Sequence, residues 1–296
     1  YNPDGSYAQL NGTNTENPVE INNNRTDDQK RHRFLGYLKM ELNIIDGLKA
    51  TVNTSYEQNS VVGGIYKPSY ARMEGQSEKG WGQRTYSDYT NKQIELYLTY
   101  DRMFGKDHHL NILGGYSYLN NVYEGFGSTR SGFDTNAFGY NNLGAGTDFR
   151  QGDVYSFKGE STLVSFFGRA NYSYLNRYMI TATLRQDGSS RFGENHKWGT
   201  FPSISLAWRL SDEPFMKCTS SWLDNLKVRL GFGVTGNQNG IGEYKSLSIL
   251  SASGAAYYDA ATQTWKNAYT QSQNVNPDLK WESTSQWNFG LDFSIF

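Results

Sequence analysis

Aromatic side chains gathered in long polar segments are the residues of this chain best suited to chemistry, and the chemistry they suit is binding. Flat rings cover the apolar faces of a sugar or peptide, while nearby amides and carboxylates bond to hydroxyl or amide groups. The rings predicted to contact ligand are Tyr66, Trp81, Tyr140, Tyr257, Tyr258 and Trp265, and Tyr70, Phe133, Phe138, Phe149 and Tyr269 lie in the same segments. The alternative is that these rings pack on one another or on a partner.

Motifs for catalysis or cofactor binding are weak. Residues 231–236 read Gly-Phe-Gly-Val-Thr-Gly, which matches the glycine string of dinucleotide-binding folds, but Asn237–Gly240 reads as a turn where that motif needs a helix. None of the four histidines has the spacing of a zinc ligand, and no nucleophile elbow occurs. We therefore predict no enzyme activity, no metal site and no cofactor.

The elements that position the candidate rings are predicted to be β-strands, because apolar residues recur at every second position. In Ile94–Asp101 the even-numbered residues are apolar and most odd-numbered ones are polar, which gives a strand one apolar and one polar face. The same alternation predicts nine strands, at about 30–45, 47–58, 90–104, 109–124, 161–174, 178–187, 200–210, 225–235 and 281–296.

The connections between these strands alternate in length. Asp46–Gly47 is a hairpin signal, and residues 105–108 and 175–177 are similarly short. The long connections lie near 59–89, 125–160, 188–199 and 236–280. If the strands run alternately up and down, every tight turn falls at one end and every long loop at the other, except that 211–224 is moderately long. This sorting is typical of outer-membrane barrels, so we expect the long loops to be extracellular.

Composition agrees with this architecture. The 296 residues include 22 Tyr, 16 Phe and 7 Trp, yet hydrophobic residues reach only 37% and the mean hydropathy is −0.69. No apolar run is long enough for a transmembrane helix, and the aromatic content argues against disorder. A net charge of −1 without a basic block argues against nucleic acid as a partner. The single Cys218 excludes an internal disulfide.

Strand length also favours a membrane barrel. About ten residues tilted by about 40° span roughly 25 Å, the height of the apolar band of such barrels. Aromatic residues near strand ends would then lie at the membrane interfaces: Tyr97, Tyr118, Tyr123, Tyr174, Tyr178 and Trp208. Because aromatic residues favour any strand, a soluble all-β carbohydrate-binding or adhesion protein is the alternative.

The predicted strand number indicates that the chain is less than a whole barrel. Bacterial single-chain barrels have an even number of strands, and an open sheet would leave two unpaired edges in lipid. The aromatic ending at Phe296 is similar to the last strand of outer-membrane proteins, but we interpret it as an internal strand cut short.

Several strings from about residue 160 onward resemble one family. Residues 182–193 read Ala-Thr-Leu-Arg-Gln-Asp-Gly-Ser-Ser-Arg-Phe-Gly, and Trp198-Gly199, Phe201-Pro202-Ser203, Glu213-Pro214-Phe215-Met216, Thr235-Gly236-Asn237-Gln238 and Asn276-Pro277-Asp278-Leu279-Lys280-Trp281-Glu282 follow. Their order and spacing resemble the barrel of SusC/RagA-type TonB-linked outer-membrane transporters. The signature residues, which we expect to be structural, are Arg185, Asp187, Gly188, Arg191, Gly193, Trp198, Gly236, Asn237 and Trp281.

The resemblance implies an all-β fold, a transmembrane antiparallel β-barrel of 22 strands, of which this chain would be a segment without the plug domain or TonB box. It implies import of oligosaccharides or oligopeptides across the bacterial outer membrane, in contact with outer-membrane lipid. The implied partners are a SusD-like surface lipoprotein and TonB–ExbB–ExbD, the latter acting through parts outside this chain. A siderophore or cobalamin-type receptor, which works without a cap, is the alternative within transport.

The charged signature residues are expected at the outer end of a hairpin. We expect Asp187-Gly188 to turn the chain, and Arg191 to pair with Asp187 or Glu194. Because recognition signatures often record fold, a lock on loop conformation is favoured over ligand contact for Arg185, Asp187 and Arg191.

Overall fold

The computed structural model describes residues 1–8, 17–72 and 74–295, most of which form β-strands. Phe296, the aromatic residue that ends the last predicted strand, lies outside these residues. The strands are β1 Thr26–Ile45, β2 Leu48–Lys67, β3 Trp81–Phe104, β4 His108–Phe133, β5 Gly146–Asp148, β6 Val154–Tyr174, β7 Tyr178–Ser189, β8 Trp198–Arg209, β9 Leu223–Asn237, β10 Ile249–Asp259, β11 Thr264–Gln273 and β12 Glu282–Ile295. The helices are short: α1 Pro18–Asn24, α2 Glu74–Ser77, and 3₁₀ turns at Gly139–Asn141, Leu143–Ala145, Leu210–Asp212 and Pro214–Thr219.

Strand order in the sheet follows chain order. The main path runs β1-β2-β3-β4-β6-β7-β8-β9-β12, β5 pairs with β4 beside it, and β10 and β11 form a separate hairpin. Consecutive strands are antiparallel, so the connections fall alternately at two ends. We call the end with connections 46–47, 105–107, 175–177 and 210–222 the turn end, and the end with 68–80, 134–153, 190–197 and 238–281 the loop end. The predicted antiparallel all-β fold is confirmed.

Cross-strand register places the alternating apolar residues of neighbouring strands on one face. Tyr178 pairs with Trp208, Ile180 pairs with Leu206, and Leu206 pairs in turn with Leu230. All five side chains are exposed and line a shallow apolar groove of about 480 Å³. Because successive side chains alternate, the polar residues between them share the opposite face.

A chain of hydrogen bonds crosses that polar face. Asn111 Nδ2 donates to Asp101 Oδ2 at 2.6 Å, Asn171 Nδ2 donates to Asn111 Oδ1 at 3.2 Å, and Thr181 Oγ1 donates to Asn171 Oδ1 at 2.8 Å. His109 Nε2 lies 3.0 Å from Asp101 Oδ1. These bonds link side chains of β3, β4, β6 and β7, so the polar face carries a network that bridges four neighbouring strands.

Several strands extend well beyond their predicted ends. β2 continues to Lys67, β3 begins at Trp81, β4 continues to Phe133 and β6 begins at Val154, so the connections near 59–89 and 125–160 are shorter than predicted. Apolar alternation marks only the part of a strand that has an apolar face, whereas the backbone ladder needs hydrogen bonds alone. The polar outer parts of these strands therefore lacked the signal on which the prediction rested.

The connection from β9 to β12 contains a hairpin that the alternation did not predict. β10 and β11 pair from Ile249↔Gln273 to Asp259↔Thr264, with an irregularity between Ala252 and Ala256. Asp259 Oδ1 accepts hydrogen bonds from the N–H groups of Ala261 and Thr262, which closes the turn. This hairpin is exposed on both faces, so burial imposed no apolar alternation on its sequence.

Tight turns at the turn end follow from their backbone conformations. Gly47 has φ +78° and lies against the carbonyl of Asp101, where a side chain would not fit. Leu175 and Asn176 have φ +56° and +53°, the conformation that a type I′ turn requires at both central positions. The short connections predicted at Asp46–Gly47 and 175–177 are present.

Two compact units divide the chain. Unit 1 consists of Tyr1–Leu35, Glu57–Asn91 and Val122–Glu160, and its buried apolar side chains are Tyr66, Ala71 and Phe133. Unit 2 consists of Gly36–Tyr56, Lys92–Asn121 and Ser161–Phe296, and its buried apolar side chains are Phe192, Phe201 and Leu223.

Candidate functional site

Tyr66 belongs to the interior of unit 1. Only 3% of the residue is exposed, and its ring meets Phe133 edge to face at 5.4 Å. Its hydroxyl donates to Asn136 Oδ1 at 2.9 Å, and Asn136 also bonds to Ser69. The expectation that Tyr66 is an exposed loop ring is wrong, because the 134–145 segment folds over it.

Trp81 and Tyr140 are half-buried in unit 1 and already have partners. Lys67 Nζ lies 5.2 Å from the Trp81 ring centre. The Tyr140 hydroxyl donates to Asp28 Oδ2 at 2.6 Å, and the Arg84 guanidinium lies 5.4 Å from its ring centre. The cavity beside Tyr140 has about 90 Å³, whereas small-molecule pockets usually have about 300–1,000 Å³. A sugar ring does not fit there in this conformation.

The remaining predicted rings lie on the β10–β11 hairpin of unit 2. Tyr257, Tyr258 and Trp265 are 54%, 51% and 71% exposed. Tyr258 pairs with Trp265, and the two rings meet at 5.5 Å. Asp259 forms an ion pair with Lys266, which lowers the pKa of the Asp259 carboxyl. Of the six predicted rings, these three are the exposed ones.

A second site is built from the signature residues of unit 2, and we call it the signature cluster: Phe192, Phe201 and Trp281 with the glycines beside them. Phe192 is 1% exposed, and its ring centre lies 4.7 Å from that of Trp281. Phe201 meets Trp281 edge to face at 5.4 Å. Trp281 Nε1 donates to the carbonyl of Lys197 at 2.9 Å. The cluster therefore fastens the 190–197 and 276–281 connections together.

Two signature glycines are required by space in this cluster. A Cβ at Gly193 would lie 1.7 Å from the carbonyl oxygen of Pro277, and Gly193 N donates to the carbonyl of Leu279 at 2.9 Å. A Cβ at Gly236 would lie 2.1 Å from the Phe201 ring. A side chain at Gly193 would separate the packed connections, and one at Gly236 would displace the Phe201 ring.

The charged signature residues lock the strands and the loop end of unit 2. Arg185 Nε donates to both carboxylate oxygens of Asp187, at 2.8 and 2.9 Å, and Nη2 donates to Ser165. Asp187 and Gly188 lie inside β7, where Gly188 pairs with Trp198. The expected turn at Asp187-Gly188 is therefore wrong, and the chain turns within 190–197 because the β6–β7–β8 ladder continues to Ser189.

Arg191 reaches a segment distant in sequence. Its Nη1 donates to the carbonyl of Ile241 at 2.9 Å, and its Nη2 donates to Glu243 at 2.8 Å. The expected pairing with Asp187 or Glu194 is wrong, since Asp187 is bound to Arg185. Asn237 Nδ2 donates to Glu282 at 3.0 Å across β9 and β12. These signature side chains thus join connections rather than display free donors.

An aromatic row lies at the turn end of unit 2. The ring centres of His108 and Tyr174 are 4.8 Å apart, those of Tyr174 and Tyr178 6.3 Å, and those of Tyr178 and Trp208 6.2 Å. Such a row is typical of a membrane interface. Tyr97, which was predicted at a membrane interface, alternates with exposed Leu96 and Leu98 and points to the opposite face.

Glu213 ties that row to the 210–222 connection. The carboxylate, in a residue that is 6% exposed, accepts hydrogen bonds from Tyr178, Trp208 and Arg177. The bonds from Tyr178 and Trp208, together with the Arg177 charge, lower the pKa of Glu213 below its ordinary 4.5. The sequence marked Glu213 through the Glu-Pro-Phe-Met string. Its partners Arg177 and Tyr178 are 36 and 35 residues away, at the start of β7, so no local signal linked them to it.

Residues 1–8, 17–72 and 74–295 contain no group of three or more His, Cys, Asp or Glu side chains placed to hold a metal ion. Across the same residues, every helix is too short or too polar to cross a membrane. Cys218 is exposed and unpaired with any other cysteine.

Comparison with known proteins places the chain in a family. The family described as TonB dependent receptor-like, beta-barrel, matches residues 1–295. TonB-dependent receptor P3 of Formosa agariphila is 35% identical over 298 residues, which cover 100% of this chain and 29% of that protein. TonB-dependent receptor SusC of Bacteroides thetaiotaomicron is 32% identical over 305 residues, which cover 99% of this chain and 28% of that protein.

Solved structures have the same fold. The structure of the RagAB peptide transporter matches with a TM-score of 0.85 and 22% identity, over 97% of this chain and 31% of that one. The RagAB peptide importer in its open-open state matches with a TM-score of 0.82 and 22% identity, over 99% of this chain and 32% of that one.

This chain spans less than a third of the length of the curated relatives that it matches. Both relatives are TonB-dependent receptors. The soluble all-β alternative is wrong, because the family consists of outer-membrane proteins. The chain has antiparallel strands in chain order, with one apolar and one polar face, and the family match covers nearly all of it. It therefore belongs to the TonB-dependent receptor β-barrel family, is SusC/RagA-like, and forms a barrel segment in the outer membrane.

Proposed function

We propose that the protein containing this chain imports oligosaccharides or oligopeptides across the outer membrane, together with a SusD-like lipoprotein and with energy from TonB. The observation that supports this most is the 32% identity to SusC across 99% of the chain. The fold shared with a RagAB peptide importer agrees with the peptide alternative. The reaction is transport, with no bond made or broken in the substrate.

In this proposal the loop end is extracellular and the turn end is periplasmic. The aromatic row of Tyr174, Tyr178 and Trp208 then lies at the periplasmic interface of the outer membrane, and acyl chains of the lipids cover the apolar face. The polar face lines the barrel interior, where the network from Asp101 to Thr181 meets water or the plug domain. The exposed rings of the β10–β11 hairpin extend from the loop end, where incoming substrate arrives.

Uptake by a deletion strain tests the function. We expect a strain that lacks the gene to stop growing on at least one defined oligosaccharide or oligopeptide, and the intact gene to restore growth. Unchanged growth on all of them would contradict the import proposal. Growth on the corresponding monosaccharides or amino acids is the control, because small nutrients pass through general porins.

Purification in mild detergent tests the partner. We expect a surface lipoprotein encoded beside the receptor to co-purify with it, and to be absent from a preparation of an unrelated TonB-dependent receptor. Reproducible absence of that lipoprotein would contradict the capped importer and favour the siderophore or cobalamin-type receptor, which works alone.

A further inference from the structure

One face of the β10–β11 hairpin carries an ordered set of rings and amides. Trp265, Asn267 and Tyr269 are alternate residues of β11, so they point to the same face. The irregularity between Ala252 and Ala256 adds residues to β10, opposite Asn267 and Tyr269. Tyr258 joins them from β10, directly opposite Trp265. Trp265 and Tyr269 are 71% and 68% exposed, and Tyr258 is 51% exposed. We call Tyr258, Trp265, Asn267 and Tyr269 the hairpin platform.

The two faces of the hairpin differ in charge. Among the described side chains of the platform face, which continues through Leu250 and Gln271, none is ionisable at neutral pH. The opposite face carries the ion pair of Asp259 and Lys266, and Tyr257 pairs with Lys266 there. A ligand of the platform therefore meets aromatic and amide groups but no counter-ion.

We propose that the hairpin platform binds an uncharged oligosaccharide whose chain runs along β11. This inference rests on the proposed import function, because it names the substrate class among those that the import proposal leaves open. Trp and Tyr rings stack on the apolar faces of pyranose rings, and the Asn267 amide between them donates to and accepts from hydroxyl groups. A charged glycan would meet no compensating charge on this face.

The spacing of the rings selects a chain over a single sugar. Trp265 and Tyr269 lie four residues apart on one strand, which places them about 14 Å apart at a rise of about 3.4 Å per residue. One pyranose ring cannot reach both, whereas an oligosaccharide can place different sugar units on each.

An open sheet face also suits a sugar better than an extended peptide. A peptide that binds a sheet adds to its edge through backbone hydrogen bonds, and it gains specificity from pockets for alternate side chains. The platform is instead an open sheet face with rings standing on it. The exposed rings of Trp265 and Tyr269 are therefore each best covered by the flat face of one sugar unit, while Tyr258 meets Trp265 edge to face.

Binding to the full-length receptor, purified with its lipoprotein in mild detergent, tests the proposal. The probes are maltoheptaose, cellohexaose, xylohexaose, a galacturonic acid hexamer and a neutral decapeptide, each measured by isothermal titration calorimetry. We expect at least one neutral oligosaccharide to bind. Its Kd should rise about tenfold or more in Trp265→Ala and in Tyr269→Ala, and Trp265→Phe should recover most of the affinity.

Tyr257→Ala is the matched control, because it removes an exposed tyrosine from the other face of the same hairpin. We expect its Kd to stay within about twofold of the wild type. Each variant must retain the heat-dependent gel shift of the folded barrel, which excludes misfolding as the cause of lost binding.

Several results would overturn the platform. One is that none of the neutral oligosaccharides binds, and another is that the acidic hexamer or the peptide binds more tightly than they do. A third is that Tyr257→Ala and Trp265→Ala lose affinity equally. A fourth is that the lipoprotein is lost from Trp265→Ala preparations, which would make the platform a protein interface. These failures are distinct from failure of the import proposal. If deletion of the gene abolishes uptake but the double variant Trp265→Ala/Tyr269→Ala imports normally, the import proposal is supported and the platform proposal is contradicted.

Discussion

Replacing Gly193 with alanine should release the signature cluster. The new Cβ would lie 1.7 Å from the carbonyl oxygen of Pro277, far inside contact distance. The obstacle is backbone, so the 276–281 connection has to move as a whole. That movement also stretches the 2.9 Å hydrogen bond from Gly193 N to the carbonyl of Leu279.

The size of the effect follows from these two losses. Forcing an extra carbon into a packed site costs about 1–3 kcal/mol, and a lost hydrogen bond costs about 1 kcal/mol. Together they give about 3 kcal/mol, which raises the equilibrium for local opening of the cluster by about 100-fold.

Limited trypsin digestion of the full-length receptor in detergent measures this opening. Lys197 and Lys280 are exposed and lie in the two connections that the cluster fastens. When opening and closing are faster than cleavage, the cleavage rate follows the population of the open form. We expect cleavage after Lys197 and Lys280 to accelerate by up to about 100-fold in Gly193→Ala.

Gly114→Ala is the control, because a Cβ at Gly114 meets no atom within 4 Å. Gly114→Ala should leave the rate of cleavage after Lys197 and Lys280 unchanged or lower it slightly, since glycine weakens a strand interior. If Gly193→Ala is cut no faster than the wild type, or if Gly114→Ala accelerates cleavage as much, the packing argument for the signature cluster is refuted.

Three further predictions follow from single side chains. The pKa of Glu213 is lowered from 4.5, so the wild type should be more stable than Glu213→Gln above pH 4.5 and should lose that advantage as the pH falls from 4.5 through the lowered pKa. Urea unfolding at several pH values measures the difference in unfolding free energy, and a pH-independent difference would contradict the prediction. Arg191→Ala should speed amide hydrogen exchange in residues 238–248, because it removes the hydrogen bonds to Ile241 and Glu243. Solvent partly screens these bonds, so the expected acceleration is about tenfold. Tyr66→Phe should cost about 1 kcal/mol of unfolding free energy through the lost bond to Asn136, and Tyr66→Ala about 3–5 kcal/mol; equal costs would place the ring outside the core.

Much of the sheet could be predicted from the sequence, because a face in contact with lipid imposes apolar residues at every second position. That pattern located the inner parts of the strands, where Ile180, Leu206 and Leu230 share a face. It failed beyond the apolar band, as in residues 81–89, which read Trp-Gly-Gln-Arg-Thr-Tyr-Ser-Asp-Tyr. No apolar residue recurs there at every second position, yet β3 includes the whole segment.

The candidate sites were predictable only in part. Exposed rings of the β10–β11 hairpin were among the predicted residues, but which of them share a face depends on strand register, which their spacing alone did not reveal. Tyr66 has the same type and the same polar neighbours as those rings, yet burial separates it from them. The partners of Arg191 and Glu213 lie at sequence separations of up to 52 and 36 residues, so no local pattern could name them.

Glu213 also bears on how the sheet finds its register during assembly. A slip of β8 against β7 by two residues keeps every apolar side chain on the same face, so alternation alone cannot reject it. Such a slip displaces Trp208 from Tyr178 by about 7 Å, and one carboxylate could no longer accept from both. The hydrogen bonds of Glu213 thus form only in the correct register of β7 and β8. They distinguish it from registers shifted by two residues, which alternation alone leaves almost equal in energy.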